Sequence, residues 1–271
     1  MAKNLHGPGQ LHVPRRQYDC SRLLFTKAGP ENSRSCAAFV ATDKRLLPRG
    51  RHVSICFDDF PKSAVTEALP ALTRRGWKAT WYAAGGMMGT DHHIHGRMFD
   101  AGDLQRLKRE KHDIGCHTFS HMDCAPASDE AVLRDLGRNH AFFRKHHLPR
   151  AKSFAFPYGR LDVSAKRLLM RRMPALRGVR PGVHNDAADL GLLKATGIED
   201  HNGGTALALD QLASMKGDRD WLIIFTHDIA DNPSRWGCTP RAFEQLLDAI
   251  EASGADVVPV SGMLERMKRA R

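Results

Sequence analysis

Short apolar segments alternate with amphipathic segments from residue 53 to the end of the chain. The apolar segments have the length and composition of β-strands and cover residues 53–57, 79–84, 113–117, 153–156, 176–180, 192–198, 221–227 and 255–260. Helical patterns lie between most of them, at residues 63–75, 101–111, 129–147, 164–173, 208–216, 239–253 and 261–269. This alternation predicts a parallel sheet with helices outside it. The number of such units favours a closed or nearly closed barrel over an open sheet.

The chain before this pattern is different in character. Its first 20 residues are polar and rich in Gly and Pro, which indicates a loose arm. Two short apolar runs follow, at residues 21–29 and 36–43, and could form a hairpin or an N-terminal extension. We therefore predict an N-terminal extension over residues 1–52, packed on a barrel domain over residues 53–271. At 271 residues, with 42% hydrophobic residues, the chain is long enough to fill the core of such a barrel.

Two adjacent carboxylates, Asp58 and Asp59, stand where the first predicted barrel strand ends. Like charges repel, and holding both ionised beside a core is costly unless a positive group is near. Either residue could cap the helix that follows, since Asp is a good N-cap. A cation is the alternative, and it requires further ligands elsewhere in the sequence.

Histidines follow two other predicted strands, at the edge where the active groups of such barrels collect. His117 and His121 have an i, i+4 spacing that brings two imidazoles together if the residues between them form a helical turn. In a chain with 15 histidines such a pair is also expected by chance, as part of a solvated turn. Together with one Asp, the pair makes a ligand set common in hydrolytic metal sites, and the second Asp could then act as a base.

Two further strand ends carry polar groups. His227 follows the most apolar strand and is either a satisfied core residue or a general acid with a tuned pKa. Pro157, Tyr158 and Gly159 form a turn that either simply ends a strand or aims a backbone N–H at a developing oxyanion.

The ordered set F-D-D, H-T-x-x-H, F-P-Y-G and a late hydrophobic-x-H resembles the polysaccharide deacetylase family (NodB homology, carbohydrate esterase family 4-like) from about residue 53 to residue 267. The resemblance implies a distorted (β/α) barrel of about seven parallel strands with outer helices. It also implies a divalent metal, most often Zn²⁺, bound by Asp59, His117 and His121. Asp58 would then be the catalytic base and His227 the acid, and the backbone N–H of Tyr158 would bind the oxyanion.

Two positions depart from the family pattern. Phe60 follows the Asp pair where the family usually has Gly, and residues 154–156 lack the Arg that often precedes the Pro-Tyr turn. Arg177 or Arg180 is expected to replace that cation, and we predict that Arg180 contacts the substrate together with Pro157 and Tyr158.

The implied activity is metal-dependent hydrolysis of an N-acyl (acetyl) group on an amino sugar. A related amidohydrolase acting on a small cyclic amide or ureide is the alternative, because the missing Arg leaves the identity of the substrate undetermined. The net charge of +11 suggests an anion- or nucleic-acid-binding protein as a lesser alternative. No nucleic-acid partner is expected, since the basic residues are spread widely and follow no recognition motif.

The remaining features bear on location. The N-terminal residues have no apolar signal-peptide core, no apolar run has membrane-spanning length, and the six cysteines form no CxxC pair. These features predict a cytoplasmic protein, peripheral to the membrane at most, with a free, nucleotide-linked or lipid-linked sugar as its partner. Such a substrate would be a precursor in surface polysaccharide or lipopolysaccharide biosynthesis.

The His-rich segment 91–96 is interpreted as a surface or substrate-lining loop.

Overall fold

A computed structural model describes residues 42–270 of the chain. The predicted loose arm and the apolar runs that follow it, up to residue 41, therefore lie outside the described residues. The end of the predicted extension is described, and Lys44–Leu46 pairs antiparallel with Ala187–Asp189 further along the chain. This part of residues 1–52 is therefore attached to the rest of the fold.

The elements follow one another much as the sequence pattern predicts. In chain order the strands are β1 (Lys44–Leu46), β2 (Gly50–Asp58), β3 (Thr80–Ala83), β4 (Asp91–His92), β5 (Gly96–Arg97), β6 (Asp113–Cys116), β7 (Phe154–Ala155), β8 (Leu176–Arg177), β9 (His184–Asn185), β10 (Ala187–Asp189), β11 (Thr196–Gly197), β12 (Arg219–Thr226) and β13 (Asp256–Val257). The α-helices are α1 (Lys62–Arg74), α2 (Ala101–Arg109), α3 (Asp129–Lys145), α4 (Val163–Met170), α5 (Gly204–Ser214), α6 (Pro240–Ser253) and α7 (Val260–Arg269).

A curved parallel sheet forms the centre of the described chain. Seven of its strands lie side by side in the order β11-β12-β2-β3-β6-β7-β8, and each neighbouring pair is parallel. The two ends of this row approach each other, because Leu193, just before β11, makes a parallel bridge to Arg177 in β8. The fold is the predicted distorted (β/α) barrel, with about seven parallel strands and helices outside them.

The helix boundaries follow local capping chemistry. Ser128, Asp162 and Thr239 each accept a hydrogen bond from a backbone N–H in the first turn of the following helix. Asp100 forms a capping box with Asp103 at the start of α2. At the end of α6 the chain turns at Gly254, whose φ of 66° suits glycine. The helical patterns predicted over residues 129–147 and 239–253 are confirmed as α3 and α6.

The core lies on both faces of the central strands, which explains their continuous apolar sequence. Every residue of β12 after Arg219 is buried. Between the sheet and helix α6 the Phe57 ring stacks on Trp81 at 4.0 Å and meets Phe243 edge-on at 6.0 Å. Burial of each such side chain stabilises the folded state by roughly 1.5–3 kcal/mol. This packing holds the carboxyl end of β2 in place.

Several predicted strands are shorter in the structure than their apolar segments. The segment 192–198 contributes two residues to β11, and 176–180 contributes two to β8. Five further strands of the described residues were not predicted, because they are short and pair over polar segments: β1 with β10, β4 with β5, and β9 with β12. Between residues 42 and 270, no helix is long and apolar enough to cross a membrane.

Candidate active site

Asp58 and Asp59 occupy the carboxyl end of β2, as predicted, and both are almost fully buried. The backbone leaves the strand through a sharp turn in which Asp59 and Phe60 have φ values of 56° and 28°. Left-handed backbone at a non-glycine residue is strained, and the surrounding packing must maintain it. Here the Phe60 ring stacks on Phe99 at 4.2 Å and meets Trp81 at 5.5 Å. Packing thus accommodates Phe where the family usually has Gly.

Arg177, at the end of β8, is the positive group beside the Asp pair. Its guanidinium is fully buried and makes a short ion pair with Oδ2 of Asp58. It lies between the rings of Tyr82 and Phe225, at 5.1 and 4.7 Å from their centroids. Burial raises the pKa of Asp58, but the Arg177 charge outweighs it, with help from His117 and His227, so the pKa lies below its ordinary value. Asp58 is therefore ionised, and its buried Oδ1 has no hydrogen-bond partner among the described residues.

The two histidines of the H-x-x-x-H motif converge on Asp59. Nε2 of His117 lies 3.8 Å from Oδ1 of Asp59, and Nε2 of His121 lies 3.4 Å from Oδ2. A bend rather than the expected helical turn brings them together, because Thr118 and His121 have φ values of 58° and 52°.

The bend is held from helix α3 by a residue that the sequence reasoning missed. Buried Asp135 accepts hydrogen bonds from the backbone N–H groups of Phe119 and Ser120 at 2.8 and 2.9 Å. It also accepts one from the Ser120 hydroxyl. The only sequence signal was an Asp on the buried face of an amphipathic helix, which by itself indicates no partner.

The three side chains Asp59, His117 and His121 fit a divalent metal. Their ligand atoms all lie within 4.8 Å of one another. Nδ1 of His117 is 2.8 Å from the Ala155 carbonyl, so this nitrogen donates its proton there and Nε2 keeps a free lone pair. Oδ1 of Asp59 is buried without a hydrogen-bond partner among the described residues.

The pKa shifts agree with this assignment. Burial and the charge of Asp58 raise the pKa of Asp59 well above its ordinary value. Burial lowers the pKa of His117, and burial together with His117 and His227 lowers that of His121 to about 2. Neutral imidazoles and a carboxylate whose charge needs compensation are the ligands that a cation such as Zn²⁺ prefers.

His227 lies at the end of β12, facing the same cluster. Its backbone N–H and its Nδ1 both lie near the Trp236 carbonyl, at 3.3 and 3.2 Å, so Nδ1 carries the proton and Nε2 is free. Burial lowers the pKa of His227 to about 4, while the nearby charge of Asp58 opposes that shift. An imidazole with so low a pKa gives up a proton readily once it has acquired one.

The remaining predicted residues fall at different distances from the cluster. Tyr158 has a φ of 58° within a short 3₁₀ turn (Pro157–Gly159), and its ring is 4.4 Å from that of His121. Pro157 is buried and starts this turn. Arg180 is exposed, and the structure does not bring it into the cluster. Of the two cations considered from the sequence, Arg177 is the one beside Asp58.

A cavity of about 830 Å³ opens onto these groups. Asp58, Asp59, His117, His121, Tyr158 and His227 line it, together with Phe225, Arg235 and Trp236. The His-rich segment forms a small antiparallel hairpin, β4–β5, whose residues 92–95 line the same cavity. The interpretation of this segment as a substrate-lining loop agrees with its position.

Comparison with known proteins finds a family match. Residues 47–173, which carry the first three motifs, match the family model "Polysaccharide deacetylase". The YxkH protein of Bacillus subtilis (strain 168) is 19% identical over 162 residues, which are 60% of this chain and 56% of that protein. The chain therefore spans about half the length of that relative.

Solved structures share the fold across most of the chain. The Xyl-CE4 domain of a multidomain xylanase from the hindgut metagenome of Trinervitermes trinervoides has a TM-score of 0.59 and 17% identity, covering 81% of this chain and 92% of that one. The chitin deacetylase of the fungal pathogen Colletotrichum lindemuthianum has a TM-score of 0.56 and 16% identity, covering 80% and 88%. These similarities confirm the predicted fold class.

Proposed function

We propose that this protein is a metal-dependent hydrolase that removes an N-acetyl group from an amino sugar. The observation that carries the proposal is the convergence, in one cavity, of an ionised base, an Asp-His-His ligand set and a second imidazole. The family match and the likeness to a chitin deacetylase support the same reaction class.

In this proposal Asp59, His117 and His121 hold a divalent cation, and their carboxylate and imidazole donors favour Zn²⁺. When bound there, the cation supplies Lewis-acid polarisation and acidifies water. Asp58 accepts the proton of the attacking water on its free Oδ1, while Arg177 keeps that carboxylate charged. The backbone N–H of Tyr158 stabilises the oxyanion, and Pro157 fixes the turn that presents it.

His227 completes the proposed reaction as the general acid. Nε2 of His227 first takes up a proton from solvent. The C–N bond then breaks with its electron pair on nitrogen, and the departing amine takes that proton from Nε2. The hydrogen bond from Nδ1 to Trp236 leaves Nε2 as the position that exchanges this proton. Until Asp58 accepts the water proton, its negative charge favours the protonated form of His227.

The substrate is proposed to be a small acetylated precursor, nucleotide- or lipid-linked, rather than a finished polymer. The cavity volume of about 830 Å³ falls in the range of small-molecule sites, roughly 300–1,000 Å³. Arg235 in its lining, and the net charge of +11, suit a substrate that carries phosphate. A cytoplasmic location, peripheral to the membrane at most, is part of this proposal.

Acetate release by the Zn²⁺-loaded protein tests the function. The panel contains a UDP-linked N-acetylated sugar, an N-acetylglucosamine oligomer, an O-acetylated xylan and a cyclic ureide. We expect acetate from the N-acetylated sugars, with the nucleotide-linked one turned over faster, and none from the Asp58→Asn variant. Turnover of the ureide or the xylan alone, with no amide hydrolysis, would refute the proposal.

A further inference from the structure

The β4–β5 hairpin brings a histidine that belongs to none of the family motifs against the proposed acid. The hairpin is inserted between β3 and α2, and Met98, just after it, pairs with Pro61 beside the Asp turn. His95 lies at its far end, and its side chain is 5% exposed. For an imidazole on a short surface hairpin this degree of burial requires specific partners.

Those partners fix the orientation of the ring. The Ser234 hydroxyl donates to Oδ1 of Asp228 at 2.5 Å, so its only proton is committed to that carboxylate. Its oxygen is 3.4 Å from Nδ1 of His95 and accepts from it, and Nδ1 is also 3.5 Å from Oδ1 of Asp228. The proton of a neutral His95 therefore sits on Nδ1.

Asp228 itself is firmly placed. It is 5% exposed and accepts a second hydrogen bond, on Oδ2, from the backbone N–H of Ser234 at 2.7 Å. A Cβ on Gly237 would lie within 2.6 Å of its side chain, so the loop packs tightly around the carboxylate. Although burial raises the pKa of Asp228, the hydrogen bonds from His95 and Ser234 hold it below its ordinary value. The carboxylate is therefore a charged, rigid anchor for His95.

The anchored ring lies parallel to the ring of His227. The two planes differ by 5°, and their centroids are 5.3 Å apart. The segment from Ser234 to Trp236 serves both imidazoles, since Ser234 holds His95 and the Trp236 carbonyl accepts from His227. The hydrogen bond from His227 to the Trp236 carbonyl is 3.2 Å long, and His227 lines the cavity. The parallel ring of His95 on one face of His227 therefore restricts rotation of the His227 ring.

We infer that His95 is a positioning residue for the general acid: anchored by Ser234 and Asp228, it packs against His227 and holds Nε2 toward the leaving group. This inference rests on the proposed function, because it requires His227 to protonate the departing amine. A small misplacement of a proton donor reduces the rate strongly without weakening substrate binding in proportion. His95 is thus expected to affect turnover of substrates whose leaving group needs a proton.

Two acetyl substrates separate this role from a general effect on the fold. Tri-N-acetylchitotriose has an amine leaving group, whereas 4-nitrophenyl acetate releases a phenolate that departs without protonation. In the Zn²⁺-loaded protein, His95→Ala should lower kcat for the amide about tenfold or more, with KM changed less than about twofold. Its kcat for the ester should stay within about twofold of the wild type.

Matched variants complete the comparison. Ser234→Ala keeps the His95 ring but removes one of its two anchors, and a smaller loss in the same direction is expected. Arg97→Ala alters an exposed residue of the same hairpin, which is paired with Asp91, and controls for disturbance of the hairpin. Equal losses on amide and ester in His95→Ala, no loss on the amide, or the same selective loss in Arg97→Ala would overturn the inference.

His227→Gln distinguishes failure of the inference from failure of the proposed function. If His227→Gln loses the amide selectively and His95→Ala does not, the inference fails and the proposed acid stands. If His227→Gln affects both substrates equally, the proposed acid role itself is wrong, and the inference falls with it.

A spectroscopic measurement decides the inference without any substrate. In ¹⁵N-histidine-labelled, Zn²⁺-loaded protein, the ring signals of His227 are those missing from His227→Gln. The wild type should show a single His227 tautomer with the proton on Nδ1, and His95→Ala should show exchange broadening or a mixture of tautomers. Unchanged His227 signals in His95→Ala would overturn the inference.

Discussion

Replacement of Arg177 by Met tests whether this buried arginine keeps Asp58 ionised. Arg177 is fully buried and Asp58 is 4% exposed at the side chain, so the variant leaves a carboxylate in the core without its partner. Breaking a buried ion pair in this way costs about 3–5 kcal/mol. For a domain of this size that loss corresponds to a fall in melting temperature of roughly 10 °C.

The catalytic consequence follows from the same electrostatics. Without Arg177, burial raises the pKa of Asp58 with less opposition, so the carboxyl tends toward its neutral form and cannot accept a proton from water. Amide turnover by Arg177→Met should therefore fall by on the order of a hundredfold.

Thermal unfolding of the Zn²⁺-loaded protein, with a double-mutant cycle, provides the measurement. Arg177→Met combined with Asp58→Asn removes both charges, so the double variant should be more stable than the sum of the single losses by about 2 kcal/mol or more. Arg49→Met is the control, because Arg49 pairs with Asp218 at 2.8 Å but both are largely exposed, and its cost should stay below about 1 kcal/mol. A melting temperature for Arg177→Met equal to that of this control, with normal turnover, would refute the reasoning.

Three further predictions concern the metal, the base and acid stability. His121→Ala should bind much less Zn²⁺ than the wild type in elemental analysis, and equal metal content would exclude His121 as a ligand. Asp58→Asn should retain the metal while losing amide turnover, since an amide cannot accept the water proton; loss of metal would show that Asp58 is a ligand instead. Burial lowers the pKa of His112 to about 4, and its Nδ1 accepts from the backbone N–H of Ala79 and from Trp81. The unfolded chain therefore binds a proton below pH 6.5 that the folded one does not, so urea unfolding should show a loss of about 2 kcal/mol from this residue between pH 7 and pH 5. His112→Gln should lack that part of the pH dependence, and an identical dependence in both proteins would contradict the assignment.

The spacing of apolar segments was enough to predict the order of strands and helices, because each element is specified by local periodicity and capping. The same logic placed Asp58, His117 and His227 at one edge of the sheet, since the carboxyl ends of parallel strands meet there. These features depend on residues near one another in the chain.

Contacts between distant segments required the tertiary structure. Arg177 reaches Asp58 across 119 positions because the segment around Leu193 closes the barrel beside β8, and the sequence could not decide between it and Arg180. The same holds for Asp135, whose hydrogen bonds to the bend after His117 depend on how α3 packs.

The His-rich hairpin illustrates the difference most clearly. From the sequence, segment 91–96 was interpreted only as a surface or substrate-lining loop, because a histidine in a polar stretch carries no information about its neighbours. Folding places His95 between Asp228 and His227, more than 130 positions away, and so gives it a fixed tautomer and a parallel stacked partner. The sequence alone determined which chemical groups the site contains, whereas packing decided which of them are buried together, charged and held in position.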